Sequence, residues 1–156
     1  MMLSPNFSLA EFTKSQTAMR RGISNNPRPW QTDNMRRLCV NLLEPVRLIV
    51  GGPMIITSGF RAPALNQAIG GAADSQHAKG EAADTERPGL SNFEYAQAIA
   101  ESGLEFDQLI LEFYVRGDPH SGWVHVSYRE GANRREILTA TRKRGGGTAY
   151  TKGLRR

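Results

Sequence analysis

Apolar residues along the chain fall into two rhythms. From Asp33 to about Val50, Met35, Leu38, Cys39, Leu42, Leu43, Val46 and Ile49 recur at steps of three and four. That period predicts an amphipathic helix, ended by Gly51-Gly52-Pro53, with Pro45 as its one irregularity. Further helices are expected at APALNQAI, stopped by Gly70-Gly71, and from Ser91 to about Ser102. Ser8-Leu-Ala-Glu11 has the form of a capping box, with Phe7 and Phe12 placed to pack the short helix it would start. The other rhythm is β-like. Met54–Ser58 is a short β-branched run, and Phe106–Val115 and Trp123–Tyr128 read as two strands joined by the loop RGDPHSG. Arg135–Thr141 could add another. The Gly, Asn and Pro between Arg21 and Trp30 mark an irregular connection. No internal repeat is visible, and the expected class is α+β, a small, mostly antiparallel sheet flanked by helices.

With 156 residues, 39% of them hydrophobic and 22% charged, the chain has the size and composition of one globular domain. The net charge of +5 is uneven: residues 129–156 hold nine Lys/Arg against two Asp/Glu, the rest eleven against thirteen. The expected division is therefore a domain over residues 1–141 and a basic, glycine-rich, mobile tail over 142–156. Beyond Tyr150 the tail lacks interleaved aromatics, and no nucleic-acid partner is expected. The single cysteine, Cys39, excludes an internal disulfide and fits a buried apolar position. MMLSPNFSLAEFTKS lacks the basic start and apolar run of a secretory signal, and no segment is apolar over a membrane-spanning length. Synthesis in the cytoplasm, no membrane insertion and a monomeric state are expected.

The candidate chemistry lies in SQHAKGEAAD, residues 75–84. Zinc takes imidazole and carboxylate ligands, three from protein in a catalytic site. Asp84 follows His77 by seven residues, close enough to share an ion if the chain turns back at Gly80, with Ala78, Ala82 and Ala83 small enough for tight packing. In WVHVSY, alternation puts Trp123, His125 and Ser127 on one face and the valines on the other. His125 is then either a third ligand or an ordinary hydrogen-bonded histidine.

SxHxxGxAxD, carried by Ser75, His77, Gly80, Ala82 and Asp84, with a downstream Trp-x-His at Trp123 and His125, resembles the D-Ala-D-Ala carboxypeptidase and L-alanyl-D-glutamate peptidase family of zinc peptidases. ITSGFRAPALNQAIGG, FDQLILEF and the opening NFSLAEF with GISNNP are similar to further segments of that family, so the resemblance covers about residues 6–128. It implies a hedgehog/DD-peptidase-like fold and zinc held by His77, Asp84 and His125. The implied reaction is hydrolysis of peptide bonds in peptidoglycan stem peptides, in a bacterial wall-remodelling enzyme or a phage endolysin released through a membrane lesion. A wall-binding module that keeps the metal without catalysis is the alternative.

Many relatives carry a glutamate just before the last histidine, whereas residues 119–122 here are Pro, His, Ser and Gly. A lengthened hairpin would leave Glu112 opposite His125 as the general base. Asp118 and His120 are its competitors, with plain turn chemistry as their other reading and oxyanion stabilisation as a further role for His120. By the resemblance, Arg61 binds a substrate carboxylate or the tetrahedral intermediate, a role suited to a planar guanidinium. Ser75 orders the ligand loop or touches substrate, and Trp123 is a further substrate-side candidate.

Overall fold

The structure is a computed structural model that describes residues 1–156. Short strands β1 (Met2–Ser4) and β2 (Phe7–Ser8) pair with each other and lead into α1 (Leu9–Thr13) and α2 (Gln16–Arg21). The capping box is present: the Glu11 amide donates to Ser8 Oγ at 3.2 Å and the Ser8 amide to Glu11 Oε1 at 2.9 Å. Phe7 and Phe12 are buried beside it.

The long helical segment begins earlier than its apolar rhythm, at Pro29, whose missing amide costs nothing in a first turn. It runs as α3 (Pro29–Leu38), a π-helical turn (Cys39–Leu43) and α4 (Glu44–Ile49). Pro45 accounts for the widened turn, because it has no amide to donate and its ring cannot sit against the carbonyl four residues back. The Glu44 amide instead reaches the Cys39 carbonyl. Met35, Leu38, Cys39, Leu42, Leu43 and Val46 are all buried, but Ile49, next in the unbroken rhythm, is 49% exposed because the extra residue turns it out of register. Burial lifts the Cys39 thiol to about 12, so it behaves as a small hydrophobe.

Six strands form the main sheet: β3 (Ile55–Ser58), β4 (Ala82–Glu86), β5 (Gln108–Glu112), β6 (Trp123–Ser127), β7 (Glu136–Arg142) and β8 (Thr148–Lys152). Their order is β3-β4-β6-β5-β7-β8, antiparallel throughout except for the parallel pair β5 and β7. Helix α5 (Pro63–Ala68) follows β3, and α6 (Asn92–Ala100) follows β4. Ala83, Leu109, Leu111, Val124 and Val126 form one face of the sheet and join the long helix and Tyr95 and Ile99 of α6 in a single core. The opposite face is free for the site. No helix is long and apolar enough to cross a membrane.

One expectation is corrected. Residues 142–156 are not a loose tail: Gly145, Gly146 and Gly147 all take positive φ and close a tight turn, after which β8 pairs with β7 along its whole length. A glycine run that reads as a linker is here the hinge of a hairpin. The end is also tied down, since the Gly153 amide donates to the Ile137 carbonyl, Thr139 Oγ1 to the Gly153 carbonyl, and Arg156 lies 4.7 Å over the Phe93 ring. Strand β4, where the sequence reading names no element, gives no strand signal because its residues are buried on both faces and do not alternate.

Asp107, with a fully buried side chain, joins the two halves of the sheet to the ligand loop. Its oxygens accept from Arg134 Nε and Nη2, both at 2.9 Å, and from Gln76 Nε2 at 2.8 Å. Burial pushes its pKa up, but the Arg134 fork and amide and the Gln76 amide outweigh this and hold it at about 2. A depressed folded-state pKa contributes stability that is complete above the unfolded value near 4 and is lost as pH falls toward 2. Asp107→Asn should therefore destabilise the protein by about 2 kcal/mol at pH 7, a difference that shrinks toward zero by about pH 2. Urea unfolding midpoints of both proteins across pH 2 to 7 measure it; a constant difference would contradict the assignment.

Candidate metal centre

Asp84 on β4 and His125 on β6 are direct partners across an antiparallel ladder, so their side chains leave the sheet together on the face away from the core. His77 comes from a 3₁₀ turn, Gln76–Lys79, which the sequence stiffens at both ends. The Ser75 hydroxyl accepts from the His77 amide at 3.2 Å. Gly80 ends the turn at φ +75°, and a Cβ there would lie 2.4 Å from the Gln31 carbonyl oxygen. Helix α3 grips the same turn: Gln31 Nε2 donates to the Ala78 carbonyl and Asn34 Nδ2 to that of Lys79. His77 Nδ1 donates to the Gly59 carbonyl at 2.7 Å, which leaves Nε2 facing Asp84. Gly59 itself packs too closely on Phe12 to admit a side chain.

Three buried residues thus converge. Asp84 Oδ1 lies 3.4 Å from His77 Nε2 and 3.1 Å from His125 Nδ1, and the ligand atoms are all within 4.8 Å of one another. Tetrahedral ligands about 2.0–2.1 Å from zinc stand about 3.4 Å apart, so the three donors have the spacing to hold one such ion. Burial pushes the Asp84 carboxyl up, yet the two histidines outweigh it and hold the group ionised, well below the usual carboxylate range. A charged carboxylate and two imidazoles gathered in a buried place are a donor set for a divalent cation.

The cluster forms the floor of a cleft of about 640 Å³, which Arg61, Ser75, Glu112 and Trp123 also line. Glu112 pairs with Trp123, and it is Ile110 that stands opposite His125. The expected register was off by two residues, an even step that keeps Glu112 on the metal face. Trp123 Nε1 donates to Glu112 Oε2 at 2.7 Å. Burial and the neighbouring Asp84 raise the Glu112 pKa, while His125, the indole N–H and Arg61 oppose them. Arg61 is held at the cleft wall, its Nε buried without a hydrogen-bond partner. Burial lowers its pKa against the pull of Asp84 and Glu112.

Asp118 and His120 do not reach the cleft. The Asp118 amide donates to the Val115 carbonyl, Ser121 Oγ to that of Asp118, and Asn92 at the start of α6 takes the Pro119 carbonyl, so the loop closes on itself and is tied toward the core side. His120 is exposed there. Turn chemistry is what these residues do, and the structure offers no oxyanion contact from His120. Sequence reading also passed over Gln76, Glu81, Arg129, Arg134 and Tyr150, all of which line the cleft. Gln76 lay inside the motif; Tyr150 carried no signal once its segment was read as a tail.

Three buried residues that could hold a metal ion, two on the sheet and one on the turn beside it, with a carboxylate in the same cleft, are the make-up of a metal-dependent hydrolase. The model of the family described as Peptidase M15 matches residues 5–127, most of the chain. The protein belongs to this family of zinc peptidases, which includes D-Ala-D-Ala carboxypeptidase-like members. No curated protein matches the chain.

Zinc added to chelator-treated protein should raise the melting temperature, by the equivalent of about 2.7 kcal/mol at a hundredfold excess over Kd. Asp84→Ala and His125→Ala should lose both the shift and the bound ion, read by thermal unfolding and metal analysis. Gly80→Ala should lose about 2–4 kcal/mol of stability from backbone strain and the Gln31 clash together. A wild-type unfolding curve for that variant would remove the packing account of the motif.

Proposed function

We propose that the protein is a zinc peptidase that cleaves peptide bonds in peptidoglycan stem peptides. The observation that carries this reading is that Glu112 and Arg61 share one cleft with His77, Asp84 and His125. Bound zinc supplies Lewis acidity and brings the pKa of a coordinated water to about 7. The residues of the chain do the rest. Glu112 takes the proton of the attacking water and returns it to the leaving amine nitrogen, its carboxylate kept in line by the Trp123 indole. Burial and Asp84 raise its pKa above the ordinary carboxylate value, the direction that helps a base hold the proton between the two steps. Arg61 lines the cleft and pairs with a substrate carboxylate or with the negative charge that develops on the carbonyl oxygen. Ser75 holds the His77 turn in place.

Stem peptides suit such a cleft because they end in free carboxylates. Family membership supports the same substrate class through its D-Ala-D-Ala carboxypeptidase-like members. The cationic excess of residues 129–156 draws the protein electrostatically to a polyanionic wall, an attraction that salt weakens.

Purified peptidoglycan incubated with zinc-loaded protein should release new muropeptides whose masses name the bond cut. Glu112→Gln should bind zinc normally and turn over at least 10²-fold more slowly, as removal of a general base does. A folded, zinc-containing wild type that binds the wall and releases no fragment would instead identify a binding module.

A further inference from the structure

The family match ends at residue 127, but the cleft does not. Tyr150, on the last strand, lines it together with Glu112 and Trp123. Sheet register explains how a residue so late in the chain arrives there. Trp123 pairs with Glu112, Glu112 with Ala140 and Ala140 with Tyr150, so one row crosses β6, β5, β7 and β8 on the cleft face. Two strand spacings put the Tyr150 backbone about 10 Å from that of Glu112. Between them stands only the methyl group of Ala140, which is fully buried. Along that row no longer side chain of β7 stands between the phenol and the carboxylate. Burial and the charge of Glu112 both raise the Tyr150 pKa, which agrees with this closeness.

Tyr150 is 58% exposed at the edge of a polar cleft, yet its mount is fixed. Beyond it the Gly153 amide and the Thr139 hydroxyl lock the end of β8, and Leu154 packs on the core. On the near side, Arg142 stacks 4.9 Å over the Phe113 ring, and that ring lies 5.4 Å from Trp123, whose indole holds Glu112. The C-terminal hairpin is thus built into the wall of the cleft, and it presents an exposed tyrosine there.

We propose that Tyr150 is a substrate-contacting residue, forming an extended subsite on the far side of Glu112 from the metal rung, for a peptide segment outside the scissile dipeptide. The ring face takes a peptide plane or a small apolar side chain while the hydroxyl stays in water. The inference rests on the peptidase reading only in that a peptide must occupy the cleft.

Phosphinate peptides test it, because they bind zinc and are not hydrolysed. An alanyl phosphinate dipeptide spans the metal rung alone, and analogues extended by two residues on one side or the other reach further. Their dissociation constants are measured by calorimetry on zinc-loaded wild type, Tyr150→Ala and Tyr150→Phe. One extended analogue should bind wild type about tenfold more tightly than the dipeptide. That gain should fall below twofold in Tyr150→Ala and survive in Tyr150→Phe, which keeps the ring. A gain retained in Tyr150→Ala, or no gain from either extension in wild type, would overturn the proposal. Muropeptide release measured beside it separates the two readings. A Tyr150-dependent gain without wall fragments removes the wall substrate alone, whereas wall fragments without that gain remove the subsite alone.

Discussion

A carboxylate buried in a β-sheet must be hydrogen-bonded, paired or bound to a metal ion, and the register between β4 and β6 decides what stands beside Asp84. That register sets His125 directly opposite it. It is held by apolar side chains on the other face: Val124, Val126 and Ala83 fit the core only when His125 and Asp84 point away from it. The same logic passes to β5, where Leu109 and Leu111 are buried and Glu112 is thereby left on the cleft side. A one-residue slip would bury the acid and expose the leucines together. Core packing and site geometry are in this sense one constraint.

The third ligand does not come from the sheet, and its turn shows what each motif position does. Ser75 accepts the first free amide of the turn, Gly80 supplies a left-handed backbone against the Gln31 carbonyl, and Ala82 and Ala83 disappear into the packing around β4. The spacing from His77 to Asp84 is the length of one short turn plus the start of a strand. Gly59, from the SGFR segment, adds the carbonyl that fixes the His77 ring while its bare backbone rests on Phe12. Segments far apart in sequence share the motif because they share these contacts.

How much of this was legible in the chain depended on whether a residue's role left a local trace. The long helix, the β5–β6 hairpin, the α+β class and the convergence of His77, Asp84 and His125 could be read from periodicity and motif. The strand β4 could not, because burial on both faces erases alternation. Glu112 was found with the wrong partner, since a loop's length does not say how many of its residues continue the ladder. Asp118 and His120 looked competent only while the loop's own hydrogen bonds and its tether to Asn92 were unseen. Tyr150 was hidden by the three glycines before it, whose composition is that of a linker and whose conformation is that of a tight turn.

Strand β7 runs parallel to β5 although β6 lies between them in the chain, so β5 acquires its second neighbour late. Without residues 136–152, the run Leu109-Ile110-Leu111 would still pair with β6 but would stand at a sheet edge with its outward-facing amides and carbonyls unpaired. An apolar, flat edge of that kind pairs readily with another copy of itself. The final hairpin replaces it with an outer strand that ends in Lys152 and is flanked by Arg142, Lys143, Arg144, Arg155 and Arg156. Like charges at an edge repel a second edge. The cationic end of the chain therefore also disfavours edge-to-edge pairing of the finished sheet.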